Sequence, residues 1–181
     1  MKITRLAALM MMVWPACATA TTPSVCSIDA WSTDKDPKGL NVRAAPAPDA
    51  AVVAILPPPN NGIAVEMHVI GAQAGWFRID RAGFEDYPGE VSAKQVFSGQ
   101  GWVFGGRIGF LVNNFNLKDG PGAQARTIAT LSSDTSGPDS FVVRRVLDCQ
   151  GDRAEVDGTF NGKSLHGWAS GLCSNQVTTC P

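Results

Sequence analysis

The stretch LNVRAAP, residues 40–46, decides the fold because it places a short strand directly before a chain reversal. Leu40 and Val42 alternate with polar residues, as expected for a strand that buries one face. Pro46 fixes φ and lacks a backbone N–H, so the strand ends there and the chain turns. The β-branched run VVAIL, residues 52–56, then returns as a second strand.

The same pattern occurs again 75 residues further along the chain. FNLKDGP, residues 115–121, aligns with LNVRAAP without a gap. The same spacing matches three more positions, at which Val53, Ala54 and Leu56 correspond to Ile128, Ala129 and Leu131. Each copy closes on a Gly-Trp pair, at residues 101–102 and 167–168. The chain therefore contains an internal repeat.

Between these markers each copy holds a predicted β-hairpin. In the first copy, strands at residues 65–70 and 76–79 flank Gly71 and Gly75. About five or six short strands per copy favour a small barrel, which leaves few exposed sheet edges. The 19 glycines and 12 prolines also suit short strands joined by turns. The sequence predicts an all-β fold of two small barrels packed in tandem.

The markers of the first copy resemble the bacterial SH3 domain family. The resemblance is carried by LNVR at 40–43 with Pro46, GWFRI at 75–79 and GWV at 101–103. The second copy is more diverged, since Lys118 replaces Arg43 and Arg153 replaces Trp76. The resemblance implies SH3-like barrels that recognise peptidoglycan, its peptide cross-links or a protein bound to it. It does not imply the proline-binding groove of eukaryotic SH3 domains.

The repeat divides the chain into a first domain at residues 21–108 and a second at residues 109–181. No Pro/Gly-rich linker separates them, so we expect the barrels to pack against each other. The first domain carries a predicted insertion at residues 80–100, where the second has only the ten residues DGTFNGKSLH. Long loops in compact domains are usually functional or mobile.

Residues 1–20 predict a secretory signal peptide. Lys2 and Arg5 precede an apolar run at residues 6–13, which is too short to span a bilayer. Small residues at 18–20 predict cleavage after Ala20 and a periplasmic or secreted product. Lipid attachment at Cys17 stays an alternative, although an aliphatic residue is missing three positions before it.

The exported part of the chain keeps four cysteines, for which an even count favours disulfides over metal ligands or catalytic thiols. Of the three possible pairings, we predict Cys149 with Cys173 and Cys26 with Cys180. The second bond would join the two ends of the chain. No metal or cofactor is predicted, because Cys173, Cys180 and His166 lack the tight spacing of a zinc site.

The charge of the chain argues against two classes of partner. A net charge of −1 gives no basis for binding nucleic acid or an anionic membrane surface. No segment after the signal peptide reaches transmembrane length. The predicted partner is therefore peptidoglycan or an envelope protein.

No sequence pattern predicts catalysis. Glu85 and Asp86 are adjacent on a predicted loop and cannot span a cleft as two catalytic carboxylates do. Exposed aromatic rings mark binding surfaces when they cluster. The predicted ligand site combines three such rings with charged neighbours, namely Trp31, Phe84 and Tyr87 with Arg43, Glu85 and Asp86.

The sequence thus predicts a non-catalytic exported binding protein that recognises the cell wall or an envelope protein. The alternative is a periplasmic inhibitor or immunity-type protein. In that case, residues 80–100 would block an enzyme such as a wall hydrolase.

Overall fold

The computed structural model describes residues 22–178 and Cys180, so the predicted signal peptide lies outside the described residues. The described chain is all-β, with two single turns of 3-10 helix at Gly105–Arg107 and Pro138–Ser140. The described residues form no helix that is long and apolar enough to cross a membrane. The strands are β1 (Ser24–Ser32), β2 (Leu40–Arg43), β3 (Val52–Leu56), β4 (Glu66–Gln73), β5 (Trp76–Phe84), β6 (Lys94–Phe104), β7 (Ile108–Gly109), β8 (Leu111–Val112), β9 (Asn116–Lys118), β10 (Thr127–Thr130), β11 (Val142–Gln150), β12 (Arg153–Phe160), β13 (Lys163–Ala169) and β14 (Leu172–Cys173).

The two main sheets share one strand order. The seven-stranded sheet runs β3-β2-β6-β5-β4-β1-β7, and the five-stranded sheet runs β10-β9-β13-β12-β11. The first five strands of the larger sheet therefore match the whole of the smaller one, and all are paired antiparallel. We call β2–β6 the first repeat and β9–β13 the second repeat. The internal repeat read from the sequence is present in the topology.

The correspondence extends to single residues. Arg43 lies opposite Trp102 in the first repeat, and Lys118 lies opposite Trp168 in the second. These are the residues that the sequence alignment pairs. The conserved spacing therefore reflects the same cross-strand register in both sheets.

A glycine before each tryptophan allows two strands to approach closely. A Cβ on Gly101 would clash with the Val42 side chain, and one on Gly167 would come within 3.0 Å of Ile128 Cδ1 and of the Lys118 carbonyl oxygen. The sequence alignment matches Val53, which also lies beside Gly101, with Ile128. The glycine before each tryptophan thus lets the neighbouring strand pack closely where a side chain would not fit.

The predicted hairpin of the first copy is confirmed, but the predicted insertion has the wrong bounds. β4 and β5 are joined by Ala74 and Gly75, both with positive φ (51° and 77°). β5 continues to Phe84 and β6 starts at Lys94, so only residues 85–93 of the expected insertion form a loop. Two strands that lengthen in register add alternating residues on both sides of a turn, and the sequence alone does not separate these from a long loop.

The core is continuous across both sheets. Fully buried side chains from the two repeats belong to one cluster, including Val42, Phe77, Ile79, Leu117, Phe141 and Val156. The chain passes from the first sheet toward the second between β7 and β8. The two sheets therefore share one hydrophobic core.

The predicted cysteine pairing was wrong. The disulfides are Cys26–Cys149, which links β1 to β11, and Cys173–Cys180. Backbone hydrogen bonds from Ser27 N–H to the Gly151 carbonyl and from Gly151 N–H to the Val25 carbonyl hold β1 beside the end of β11. This contact between distant segments brings Cys26 to Cys149, and spacing along the chain gives no sign of it.

Candidate functional site

A groove of about 660 Å³ lies where β1, β4, β5 and β6 meet the loop at residues 85–93 and the C-terminal segment. We call it the hairpin groove. Its volume is within the range of small-ligand sites. Its wall carries acidic, basic and aromatic side chains, chiefly Asp29, Glu66, Glu85, Arg81, Lys94, His68, Phe84 and Tyr87.

Tyr87 anchors the loop to the floor of this groove. Its hydroxyl donates a hydrogen bond to Glu66 Oε1 at 2.6 Å and accepts one from the Gln176 backbone N–H at 3.3 Å. Burial, reinforced by the bond to Glu66, raises the pKa of Tyr87 to about 12. The phenol therefore stays protonated at neutral pH and continues to donate to Glu66, whose side chain is buried.

Further contacts fix the loop and the C-terminal segment to the sheet. The Gln176 side chain accepts from the Ala64 N–H at 2.9 Å and donates to the Ala64 carbonyl at 3.0 Å. The Asn61 side chain donates to the Glu90 carbonyl at 2.9 Å, and Tyr87 and Val91 are bonded through their backbones. These hydrogen bonds attach both segments that border the groove to the sheet.

Beside the groove, three side chains make contacts in the order of a catalytic triad. Ser27 Oγ lies 3.2 Å from His68 Nε2, and His68 Nδ1 lies 2.9 Å from Asp80 Oδ1. In a triad the carboxylate orients the imidazole so that Nε2 can take the serine proton. This cluster cannot be predicted from the sequence, because Ser27 and His68 are 41 residues apart and meet only through strand pairing.

Two neighbours oppose that chemistry. Arg81 Nη1 lies 3.0 Å from the same His68 Nδ1. A guanidinium only donates and a carboxylate only accepts, so Arg81 and Asp80 make opposite demands on the one Nδ1 of His68. Only the tautomer that donates to Asp80 leaves Nε2 free to accept from Ser27. The Ser27 N–H is donated to the Gly151 carbonyl at 2.8 Å, so it is unavailable to stabilise an oxyanion.

A second depression, of about 340 Å³, is lined by residues of β2, β5 and β6, and we call it the aromatic cleft. The rings of Trp76 and Phe104 lie opposite each other on β5 and β6, with centroids 5.5 Å apart and planes inclined by 57°. Pro48, Arg43 and Arg107 also line this cleft. Phe104 is 44% exposed although it is aromatic.

The predicted ligand residues do not form one site. Phe84, Glu85 and Tyr87 line the hairpin groove, whereas Arg43 lines the aromatic cleft. Trp31 and Asp86 line neither of these two.

The expectation that Trp31, Phe84 and Tyr87 are exposed rings was wrong. Phe84 is 8% exposed, and the other two are half-buried. Phe84 ends β5 on the face that alternation directs to the core, and Trp31 packs against that core. The exposed ring near a cavity is instead Phe104.

The second repeat carries a charged cluster on β11, β12 and β13. His166 Nδ1 lies 2.9 Å from Asp157 Oδ1, and Arg145 donates to Asp157 Oδ2 at 2.7 Å. These two partners, Arg145 foremost, lower the pKa of Asp157. Among the residues that the structure describes, no group of three His, Cys, Asp or Glu side chains is placed to hold a metal ion.

Comparison with protein-family models, with curated proteins and with solved structures finds no match for this chain. The geometry of the two cavities and the internal repeat are therefore the basis for assigning a function.

Proposed function

We propose that this is a non-catalytic exported binding protein whose hairpin groove recognises the peptide part of peptidoglycan. We further propose that its two repeats are diverged barrels similar to bacterial SH3 domains. The shared strand order of the two sheets supports this second proposal, as do the matching Arg43–Trp102 and Lys118–Trp168 pairs. Two disulfides are compatible with an exported protein.

The mixed charge of the hairpin groove is the observation that carries the proposed function. Lys94 and Glu85 are exposed at its rim, and Arg81 and Asp29 lie 4.0 Å apart on its wall. A ligand that fits such a wall presents both carboxylates and amines along an extended backbone. Peptide cross-links of the cell wall have this chemistry, whereas an uncharged sugar chain does not.

The chemistry around the groove supports binding rather than catalysis. All four cysteines of the described chain are in disulfides and cannot serve as nucleophiles. Arg81 competes with Asp80 for the Nδ1 of His68, and the Ser27 backbone N–H is already bonded to Gly151. The groove presents acidic and basic side chains on paired strands and on the loop that is bonded to them.

Co-sedimentation with purified cell-wall sacculi tests the proposal. The test variant is Glu85→Lys/Lys94→Glu, which exchanges two exposed charges of the groove and keeps the net charge. The matched control is Asp134→Lys/Lys163→Glu, which makes the same exchange at exposed positions outside the groove. Thermal unfolding is measured first, to show that both variants have the same melting temperature as wild type.

We expect wild type and control to pellet with sacculi and the groove variant to remain in the supernatant. A wild-type protein that pellets no more than its denatured form would refute binding to the wall. Equal pelleting of both variants would place the site elsewhere.

An inhibitor is the second candidate function, and the fixed loop at residues 85–93 favours it. Its exposed residues Glu85, Asp86 and Glu90 form an acidic projection, while Tyr87 turns inward to Glu66. Co-purification from a native envelope extract distinguishes the two functions. Stoichiometric capture of an enzyme, abolished by Asp86→Lys/Glu90→Lys, would favour inhibition over wall binding.

A further inference from the structure

The aromatic cleft of the first repeat has no equivalent in the second, although both repeats have the same strand order. Trp76 corresponds to Arg153 in the sequence alignment, and Phe104 corresponds to Ser170. Arg153 Nη1 donates to the Gly122 carbonyl at 3.4 Å, so the Arg153 side chain extends toward the turn that follows β9. The equivalent position of the first repeat holds the Trp76 ring. The pair formed by half-buried Trp76 and exposed Phe104 is thus a property of the first repeat alone.

The basic residue beside the cleft is common to both repeats. Arg43 Nη1 donates to the Ala50 carbonyl at 2.7 Å, and Lys118 Nζ donates to the Ala123 carbonyl at 2.8 Å. Both side chains therefore support the turn that follows their strand. This shared role explains a cation at the position, and it does not explain the aromatic rings beside Arg43.

The cleft has a positive charge in excess. Its lining holds the guanidinium groups of Arg43 and Arg107 and the single carboxylate of Asp34. Asp34 Oδ1 lies 3.9 Å from Arg107 Nε, whereas Arg43 forms no ion pair within the described part of the chain. A guanidinium has five N–H donors, of which the Ala50 carbonyl takes one.

We propose that the aromatic cleft binds the end of a peptide in which a free carboxylate belongs to an apolar residue. The apolar side chain would lie against Trp76, Phe104 and Pro48, and the carboxylate would receive hydrogen bonds from Arg43. Charge-assisted bonds of this kind are about twice as strong as neutral ones. The cleft shares no lining residue with the hairpin groove, so this inference does not rest on the function proposed for that groove.

Two-dimensional NMR with small peptide probes tests the proposal. The probes are N-acetyl-alanyl-leucine, its C-terminal amide and N-acetyl-alanyl-glycine. The reporter is the indole N–H signal of Trp76, assigned by comparison with Trp76→Phe. We expect the free leucine peptide to shift this signal in a saturable way, and the amide and the glycine peptide to bind at least about tenfold more weakly.

Three variants test the residues of the cleft. Arg43→Gln should weaken the leucine peptide at least about tenfold, whereas Lys118→Gln, at the equivalent position, should leave its affinity within about twofold. Phe104→Ser introduces the residue of the second repeat at an exposed position and should also abolish binding. It decides the question if Arg43→Gln fails to fold.

Several outcomes would overturn the inference. They are an unshifted Trp76 signal, equal affinity for the peptide acid and its amide, and equal weakening by Lys118→Gln and Arg43→Gln. Failure here is separable from failure of the proposed function, because the charge exchange at Glu85 and Lys94 leaves the cleft intact. A protein that binds sacculi and ignores the leucine peptide would retain the first proposal and lose this one.

Discussion

The guanidinium of Arg78 lies over the ring of Trp102, 5.9 Å from its centroid. In the second repeat the residue opposite the equivalent Trp168 is Glu155, so an acidic residue takes the register position that Arg78 has in the first. Trp102 is 8% exposed and Trp168 is half-buried. The tryptophan at this register position is therefore more deeply buried in the first repeat than in the second.

This difference predicts unequal stability effects. Trp102→Ala should lower the free energy of unfolding by about 3–5 kcal/mol, the usual cost of emptying a core aromatic site. Trp168→Ala should cost less, because its ring already contacts solvent. Urea unfolding followed by circular dichroism measures both values, and equal losses would contradict the packing described for Trp102.

The protein has one tyrosine, so phenolate absorbance reports Tyr87 alone. An alkaline titration should give a midpoint near a pKa of about 12, against 10.0 for a free phenol. Glu66→Gln removes the negative acceptor and should lower the midpoint, which burial still holds above 10.0. A wild-type midpoint at 10.0 would show that the Tyr87–Glu66 contact does not form.

The same shift fixes the sign of an alkaline stability effect. Between pH 10 and about 12 the folded chain holds the Tyr87 proton more tightly than the unfolded chain does. The contribution of Tyr87 to stability is complete below pH 10 and is lost as pH rises to about 12. Tyr87→Phe should remove this part of the pH dependence when the free energy of unfolding is measured across that interval.

The two disulfides should contribute unequally. Cys26–Cys149 closes a loop of 123 residues and Cys173–Cys180 a loop of 7. Chain-entropy arguments give about 5 kcal/mol for the first and about 2 kcal/mol for the second. Replacing each pair by serine and measuring unfolding checks the order, and peptide mapping without reduction checks the pairing. A Cys149–Cys173 peptide would contradict the structure.

The Ser27–His68–Asp80 cluster makes the non-catalytic proposal directly testable. We expect a fluorophosphonate probe to leave Ser27 unmodified, because Arg81 competes with Asp80 for His68 Nδ1 and the Ser27 N–H is already bonded. Mass spectrometry of the treated protein gives the answer, with Ser27→Ala as the control. Stoichiometric labelling that Ser27→Ala abolishes would show an activated nucleophile and refute the proposal.

Local patterns predicted the repeat and the β4–β5 hairpin, whereas the disulfide pairing and the Trp76–Phe104 pair depend on contacts between distant segments. Alternation and proline placement identify the Leu40 and Phe115 strands, because those signals lie within a few residues. The Cys26–Cys149 bond depends on how β1 meets β11, and the Trp76–Phe104 pair depends on the register of β5 and β6. Neither contact can be predicted from how far apart these residues are along the chain.

The predicted site failed in part for the same reason. Phe84 and Tyr87 read as exposed rings on a long loop, yet Phe84 lies in a strand and Tyr87 bonds to Glu66 across 21 residues. Their acidic neighbour Glu85 does line a groove, but its basic counterpart Lys94 comes from the next strand. The sequence predicts the loop that carries Glu85, but it does not show which residues lie across the groove from that loop.

Calorimetric titration with soluble peptidoglycan fragments tests the central claim most directly. One set of fragments carries its peptides, and the other is the same glycan with the peptides removed enzymatically. We predict saturable binding of the peptide-bearing fragments, none of the bare glycan, and loss of binding in Glu85→Lys/Lys94→Glu. Equal binding of both fragment sets, or undiminished binding by that variant, would contradict recognition of the wall peptide by the hairpin groove.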